Sequence, residues 1–501
     1  MTLKELLNDW VSTINISSSN DSSILGLSLD SRDIIQGYVF IALAGSKQHG
    51  MAYIDQAISN GACAIIYDPA GIESTLVEQN SSQIPMIALD ELAVKLGHIA
   101  ARFYGKPSEL MTVIGVTGTN GKTSCSQFLS QMLDDCGIVG TLGWGNWNNL
   151  QKTLNTTPDA LEMQRILAEL LKTNKKVVAM EVSSHGLDQG RINGVAFKGA
   201  IYTNISRDHL DYHGTMEAYL QAKLLLLNSP SLAFVVVNLD DQYSDRIITA
   251  IPENVAIWGF SVKGKTRSDC TCIKAENIVN TDDGIEFDLH CQDNKHKIKA
   301  PLYGDFNVEN VVTVFTAMLA MGITGSEAIK RLGFIRSITG RMERLGGKGT
   351  PLVFVDYAHT PDALDKVLFS AKKHCTQALW VVFGCGGDRD KGKRSQMGRI
   401  ATQWADHVII TDDNPRYENA LDIVNDILKG CKDIGNSTIS RNVEVIQDRT
   451  LAIQSVLTRA SAKDCIVVAG KGHEHYQEIN GVRLNFSDSQ VINDALTART
   501  R

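Results

Sequence analysis

No run of about 18–20 uninterrupted apolar residues occurs in this chain, so no bilayer-spanning helix is expected and no membrane partner follows from the sequence. The opening segment, MTLKELLNDW, carries acidic residues and no apolar core, so it does not read as a secretory signal. No Cys-x-x-Cys pair is present. The ten cysteines are scattered; Cys270 and Cys272 have only Cys291 nearby and no matching histidine pair, which does not fit zinc-ligand spacing. Scattered thiols in a long chain suit a reducing, cytoplasmic setting. An excess of positive charge is also missing. With 49 Lys and Arg against 56 Asp and Glu, the net charge is −7, and no global field attracts nucleic acid or an anionic surface. Any anionic substrate must therefore be held by local arginines, lysines and backbone amides. Internal repeats and low-complexity segments are absent as well.

What remains is an ordinary globular composition, 43% hydrophobic and 21% charged. A length of 501 residues exceeds what one core usually holds, so two or three domains are expected. Residues 27–66 alternate short apolar runs (YVFIALAG, ACAIIYD) with a helical stretch and read as a small α/β unit. A helix over 90–104 follows. Domain boundaries are placed near residues 89 and 340, giving segments 1–89, 90–340 and 341–501. In the middle segment, buried-type strands are expected at 112–116, 177–182, 200–205 and 234–239, with a helix over 122–136 whose Phe128, Leu129, Met132, Leu133 and Cys136 share one face. In the last segment, strands at 352–356, 379–384, 407–411 and 465–470 each run into a polar or Gly-rich stretch: YAHTPD, CGGDRDKGKR, DDNPR and KGHEH. Apolar strands alternating with helices imply mostly parallel sheets, whose ligands gather at the carboxyl ends of the strands.

The segment GVTGTNGKTS (115–124) joins a strand to a helix. The amides of Gly118, Thr119, Asn120, Gly121, Lys122 and Thr123 can cradle phosphates at the helix start, and the Lys122 ammonium can reach the outer ones. Thr123 or Ser124 can offer a hydroxyl to Mg²⁺. The first glycine of the usual Gly-x4-Gly-Lys template is replaced by Val116. Glu181 ends the strand in MEVSSHGL, the position from which a carboxylate anchors Mg²⁺ beside such a loop. The stretch TNISRDHLDYHGTMEAYLQAK then supplies Asp208, His209, Asp211, His213 and Lys223. On periodicity alone, Lys223 in EAYLQAKLLLL reads as an ordinary surface lysine.

Nine segments stand in order: TGTNGKT, MEVSSHGL, SRDHLDYHG, GDFNVEN, GRME, DYAHTPD, FGCGGDRDKGKR, DDNPR and AGKGHE. Together they resemble the Mur ligases over nearly the whole chain. The resemblance implies an α/β fold of three domains: a small N-terminal uridine-nucleotide domain, a central P-loop ATPase domain with a mostly parallel sheet, and a C-terminal Rossmann-like domain. It implies an enzyme in which ATP phosphorylates a substrate carboxylate and an incoming amine displaces phosphate to form an amide. By the same resemblance, Gly118 to Ser124 hold ATP phosphates, and Asn307, Asn310, Arg341 and Asp356 reach the rest of the nucleotide. Thr123, Glu181 and His209 serve Mg²⁺, joined by Lys223 once CO₂ has converted it to a carbamate. Leu29, Ser31, Asn155, Thr156, Thr157, Ser184, Gln189 and Arg191 hold the uridine-sugar peptide.

Within the family the branch that adds meso-2,6-diaminopimelate to UDP-N-acetylmuramoyl-L-alanyl-D-glutamate, in peptidoglycan precursor synthesis, matches best. Arg416 offers a planar fork for the extra carboxylate, and Pro415 fixes the backbone before it. By the same resemblance Asp413, Asn414, Gly470 and Glu474 handle the amine end, and Arg389, at a neighbouring strand end, matches a further diaminopimelate contact. A monomer acting on these small molecules is expected. A lysine-adding synthetase and a folylpolyglutamate synthase-like ligase are the alternatives; DDNPR argues against the first, and NTTP with DDNPR against the second.

Overall fold

The computed structural model describes residues 1–11, 23–45, 48–72, 77, 84–281, 284–291, 294–347, 349–432 and 442–499. The chain divides into two compact units, the first made of Met1–Gly115, Asp135–Gly199 and Leu225–Leu232, the second of Val116–Asp134, Ala200–Leu224 and Ala233–Arg501.

The first unit holds a parallel four-stranded sheet in the order Gly26–Ser28, Tyr38–Ala42, Ala64–Tyr67, Met86–Ala88. Period-two alternation buries both of its faces. Val39, Ile41, Ala64 and Ile66 pack with Leu92, Leu96 and Ile99 of the helix Leu92–Phe103, while Phe40, Ala42, Ile65 and Tyr67 point to the other side. The same unit carries strands ordered Val177–Glu181, Cys136–Gly140, Gly143–Asn146 and Asn149–Gln151, the last two closing an antiparallel meander. Helix Ala160–Lys172 feeds the strand that ends in Glu181. Its start is set by Asp159, whose carboxylate accepts from the amides of Leu161 and Glu162.

In the second unit, strands follow the order Asn294–Ala300, Gly284–Cys291, Thr271–Thr281, Ala256–Ser261, Phe234–Asn238 and Phe197–Tyr202, antiparallel among the first three and parallel through Thr271–Thr281, Ala256–Ser261 and Phe234–Asn238. A separate six-stranded sheet runs Glu343–Gly346, Leu352–Asp356, Cys465–Ala469, Leu379–Phe383, His407–Ile410 and Val443–Val445, parallel except at its first strand. Alternation again decides the layers: Phe354, Val381, Phe383, Val408 and Val467 fill one core, and Val355, Trp380, Val382, Ile409 and Val468 the other.

Three expectations need correction. The helix from Lys122 stops at Met132 rather than Cys136, because Asp135 takes a left-handed φ of 51° and Cys136 opens a strand. The strand expected at 200–205 is Phe197–Tyr202, so the polar Thr203 and Asn204 lie past its end. The antiparallel strands at 271–300 were not expected. GIEFDLHC shows their alternation, with Ile285, Phe287, Leu289 and Cys291 buried and the intervening residues partly exposed.

Candidate active site

Strand Thr112–Thr117 delivers the chain into the glycine-rich loop, and helix Lys122–Met132 leaves it. The two loop glycines are forced by close approach as well as by backbone angle. Gly118 has φ 142° and Gly121 φ 88°; a Cβ would sit 2.0 Å from Thr203 Oγ1 at the first and 2.6 Å from Asn310 Oδ1 at the second. The loop is pinned from the next strand end: Thr119 N donates to Asn204 O (2.7 Å), Asn120 N to Asn204 Oδ1 (2.9 Å), and Thr203 Oγ1 to Asn120 O (2.6 Å). Lys122 folds back over the loop, its Nζ donating to Gly118 O and Thr119 O, both at 2.8 Å. Arg341 donates to Thr123 Oγ1 (3.2 Å) and Asn120 Nδ2 to Asp362 Oδ2 (2.7 Å), so the GRME and DYAHTPD segments meet the phosphate loop directly.

Lys223 is not a surface residue. Its side chain is 1% exposed, its Nζ donates to the same Gly118 carbonyl at 2.9 Å, and it lies 4.5 Å from the centre of the Tyr219 ring. Burial, reinforced by the neighbouring Lys122 cation, holds its ammonium well below the usual lysine range, with Asp208 opposing. Asp208 itself is lowered, because His209, His359, Lys393 and Lys122 together outweigh the cost of its burial. His209 has a left-handed φ of 52°, and its Nε2 lies 3.4 Å from Asp208 Oδ2.

The nucleotide candidates Asn307 and Asn310 share one helix face. Asn307 Nδ2 donates to Tyr303 O (2.7 Å), and Asn310 Nδ2 to Asn307 Oδ1 (3.0 Å). Asp356, at its strand end, accepts from the amides of Met342 (2.7 Å) and Ala358 (2.8 Å); burial still pushes its carboxyl up to about 6. The Arg341 guanidinium stacks 4.5 Å over the Tyr357 ring.

At the ends of His407–Ile410 and Cys465–Ala469 a second polar cluster forms. Its hub is Lys471, which does not stand out in the sequence. Fully buried, it donates to Asn414 Oδ1 and Glu474 Oε2, each at 2.9 Å, and reaches Asp413 Oδ1 at 3.5 Å. Asn414 Nδ2 also donates to Glu474 Oε2 (2.9 Å). Gly470, at φ 109°, leaves room that a Cβ would fill 2.7 Å from Asp413 Oδ2. Asp413 titrates below the usual range: burial raises it, but Lys471, Arg449 and His359 win. Arg449 is a second missed residue. Completely buried, it pairs with Asp488 (2.7 and 2.8 Å) and donates to Ala469 O (2.9 Å), bracing the turn into Gly470. Arg416 adopts a left-handed φ of 54° and donates to Gly387 O (2.8 Å); Pro415 O approaches Gly387 so closely that a Cβ there would lie 1.9 Å away. Arg389 is exposed and joins no ion pair among the described residues.

The remaining candidates belong to the first unit. Glu181 is 1% exposed and accepts from Thr141 N and Thr141 Oγ1, each at 2.9 Å. Thr141 Oγ1 also meets Thr156 Oγ1 (3.0 Å), and Thr157 Oγ1 donates to Glu181 O (2.9 Å). Arg191 donates to Thr157 O (2.9 Å) and to Gln189 Oε1 (2.6 and 3.0 Å). One network thus gathers Thr156, Thr157, Glu181, Gln189 and Arg191, with Ser184 buried at the start of the helix Ser184–Asp188 and Asn155 exposed beside it. Leu29 follows strand Gly26–Ser28 and packs on the core that includes Ala160 and Leu161, while Ser31 opens the 3-10 turn Ser31–Asp33 and its hydroxyl donates to Gln56 Oε1 (2.7 Å).

No described helix is long and apolar enough to cross a membrane. Three family models match the chain: Mur ligase family, catalytic domain, at residues 23–104; Mur ligase middle domain at 116–318; and Mur ligase, glutamate ligase domain, at 340–472. The chain is 42% identical over 504 residues to the UDP-N-acetylmuramoyl-L-alanyl-D-glutamate–2,6-diaminopimelate ligase of Alkalilimnicola ehrlichii, covering 99% of both chains. To the ligase of that name from Pseudomonas aeruginosa it is 44% identical over 485 residues, 96% of each. A solved structure of a ligase with this name superposes with a TM-score of 0.69 at 35% identity, covering 100% of this chain and 99% of the other.

Proposed function

The chain belongs to the Mur ligase family, and from that premise we propose how an ATP-dependent, amide-forming ligase with this architecture does its work. It joins 2,6-diaminopimelate, in the meso form, to UDP-N-acetylmuramoyl-L-alanyl-D-glutamate. The observation that carries the amino-acid assignment is the pocket of Asp413, Asn414, Glu474 and Gly470 around buried Lys471, with Arg416 beside it in a strained backbone.

A carboxylate at neutral pH has no leaving group, so it must be phosphorylated before an amine can displace anything from it. The loop amides of Gly118 to Ser124 hold the phosphates. Lys122, whose carbonyl partners it can exchange for phosphate oxygens, neutralises charge as the phosphoryl group moves. Arg341 and Asp356 engage the nucleotide from the GRME and DYAHTPD segments, and Asn307 and Asn310 face the base. Leu29, Ser31, Asn155, Thr156, Thr157, Ser184, Gln189 and Arg191 bind the uridine-sugar peptide. Domain boundaries near residues 89 and 340 accord with a family model that begins at 340, although another extends to 104.

For Mg²⁺ the side chains offered are Thr123, Glu181 and His209. Among the described residues no cluster of three or more His, Cys, Asp or Glu could hold a metal by itself. So sparse a protein set fits an ion that keeps several waters and draws ligands from substrate phosphates. When bound, Mg²⁺ neutralises phosphate charge. Lys223 does not fit as an ammonium, yet its depressed proton affinity and its burial against Gly118 O suit a neutral amine that CO₂ converts to a carbamate, which supplies oxygens. The test is phosphate release from ATP with the nucleotide-sugar peptide and a panel of amino acids. Diaminopimelate alone should support turnover, because lysine leaves Arg416 desolvated and unpaired, a mismatch worth about 10⁴-fold. Equal use of lysine would overturn the pocket assignment.

A further inference from the structure

Every polar segment at the strand ends has a role above except the centre of DYAHTPD. His359 stands three residues past Asp356, on the turn between strand Leu352–Asp356 and helix Pro361–His374. Its place is fixed from both sides. Thr360 caps the helix by accepting from Ala363 N, and Asp362 accepts from Asn120 of the phosphate loop (2.7 Å) and from the Ser206 hydroxyl (3.4 Å). The ring packs edge-on against Tyr357 at 4.7 Å.

Its hydrogen bond defines the tautomer. Nδ1 lies 2.8 Å from Tyr357 O. A carbonyl only accepts, so Nδ1 carries the hydrogen and Nε2 presents a lone pair. Among the described residues Nε2 has no hydrogen-bond partner, and the ring is partly accessible to solvent. The imidazole also lies within electrostatic reach of both halves of the site, Asp208 beside the phosphate loop and Asp413 in the amino-acid pocket.

We propose that His359 is a catalytic base of the amide-forming step, its Nε2 accepting the proton that the attacking nitrogen sheds as the C–N bond forms. The inference rests on the ligase reading above. The incoming ammonium first loses one proton to solvent. The neutral amine attacks the acyl-phosphate carbon, giving a tetrahedral adduct whose nitrogen is positively charged and acidic. Nε2 takes one proton from it, the C–O bond to phosphorus breaks with its electron pair, and phosphate leaves. The amide nitrogen keeps one hydrogen, and the imidazolium returns its proton to solvent.

The charged surroundings favour this role. Burial, the Lys393 ammonium from helix Gly392–Trp404 and the Arg341 guanidinium hold the imidazole below its usual range, opposed by Asp208 and by the Tyr357 carbonyl. Asp413 faces it from the amino-acid side and Tyr357 covers one edge. The neutral base therefore persists at neutral pH, and its loss as pH falls sets the acid limb of kcat.

His359→Asn retains a donor for Tyr357 O but no base. Diaminopimelate-dependent phosphate release should drop about 10²–10⁴-fold in kcat, with KM for ATP and the nucleotide-sugar peptide unchanged and the acid limb gone. Hydroxylamine, largely unprotonated near neutrality, traps acyl phosphates directly, so hydroxylamine-dependent phosphate release by the variant should stay near the wild-type level. Undiminished turnover with diaminopimelate would overturn the proposal. So would loss of the hydroxylamine reaction in both His359→Asn and His359→Gln, which would place His359 before acyl-phosphate formation. A wild-type enzyme inactive with diaminopimelate but active with another amino acid would overturn the substrate reading alone, and the same comparison would then be made with that amino acid.

Discussion

Lys223 and Lys471 are equally hidden, 1% and 0% exposed, and sit in two different polar clusters. Around Lys471 the protein has placed Asp413, Asn414 and Glu474, so the ammonium has anionic partners and fixes their positions. Around Lys223 it has placed a backbone carbonyl, an aromatic face and a second lysine, and among the described residues Lys223 forms no ion pair. Burial makes a charge costly in both places, but only one site offsets that cost. The same side chain is a partnered cation in one setting and, on the carbamate reading proposed above, an amine nucleophile in the other, and the neighbours make the difference.

The largest effect should come from breaking the Lys223 side. Lys223→Ala should lose at least about 10²–10³-fold in kcat, the scale of removing one preorganised electrostatic group, and a short carboxylic acid should restore part of it by standing in for the carbamate. Lys122→Ala should fall by a similar factor without such rescue, since its contribution is a cation. Full activity of Lys223→Ala would end the carbamate assignment. In wild type, a ¹³CO₂-derived carbamate signal should weaken as pH falls, because only the neutral amine reacts.

Lys471→Met sharpens the other half. It strands the buried Asp413 and Glu474 carboxylates, and losing one partner of a buried ion pair costs about 3–5 kcal/mol. Thermal melting should register that loss, whereas Lys223→Met should melt at or above the wild-type temperature because it removes an uncompensated buried amine. Equal destabilisation of the two variants would dissolve the contrast. The smallest of the three effects is expected at Arg416, which lies at the rim of the Lys471 cluster. Arg416→Ala should raise the KM for diaminopimelate about 10²-fold, consistent with about 2–3 kcal/mol for one charged contact, and leave the KM for ATP unchanged. A parallel rise in both constants would place Arg416 outside the amino-acid pocket.

The parallel strands were legible because continuous apolar runs such as LVFVD and CIVVA bury both faces, which leaves a one-dimensional trace. The phosphate loop was legible because glycine spacing reports backbone angles directly. Lys471 was not, even though AGKGHE was in view, because a buried lysine looks like an exposed one until its acceptors, 57 and 58 residues away for Asn414 and Asp413, are brought beside it. Arg449 gave no signal for the same reason, its partner Asp488 being 39 residues distant. On periodicity alone Lys223 reads as exposed, and only its motif pointed elsewhere. Helix Met216–Leu224 is too short for its apolar face to stand out, and only its packing against the phosphate loop hides it. The strands at 271–300 escaped because lysines and acids on their outer face, such as Glu286 between Lys297 and Lys299, interrupt the apolar run.

The order of strands in the six-stranded sheet bears on how the protein is born. Strands Leu352–Asp356 and Leu379–Phe383 never touch; the strand Cys465–Ala469 lies between them and bonds to both. A ribosome making about 5–20 residues per second delivers that central strand roughly 4–17 s after Phe383. Throughout that interval two five-residue apolar strands each present an unpaired edge. Both the Asp356 carboxylate and the polar cluster beside Gly470 take their places together, when the central strand fills the gap. The two polar clusters are therefore completed together rather than in sequence, and until the keystone strand arrives the nascent sheet keeps an open gap.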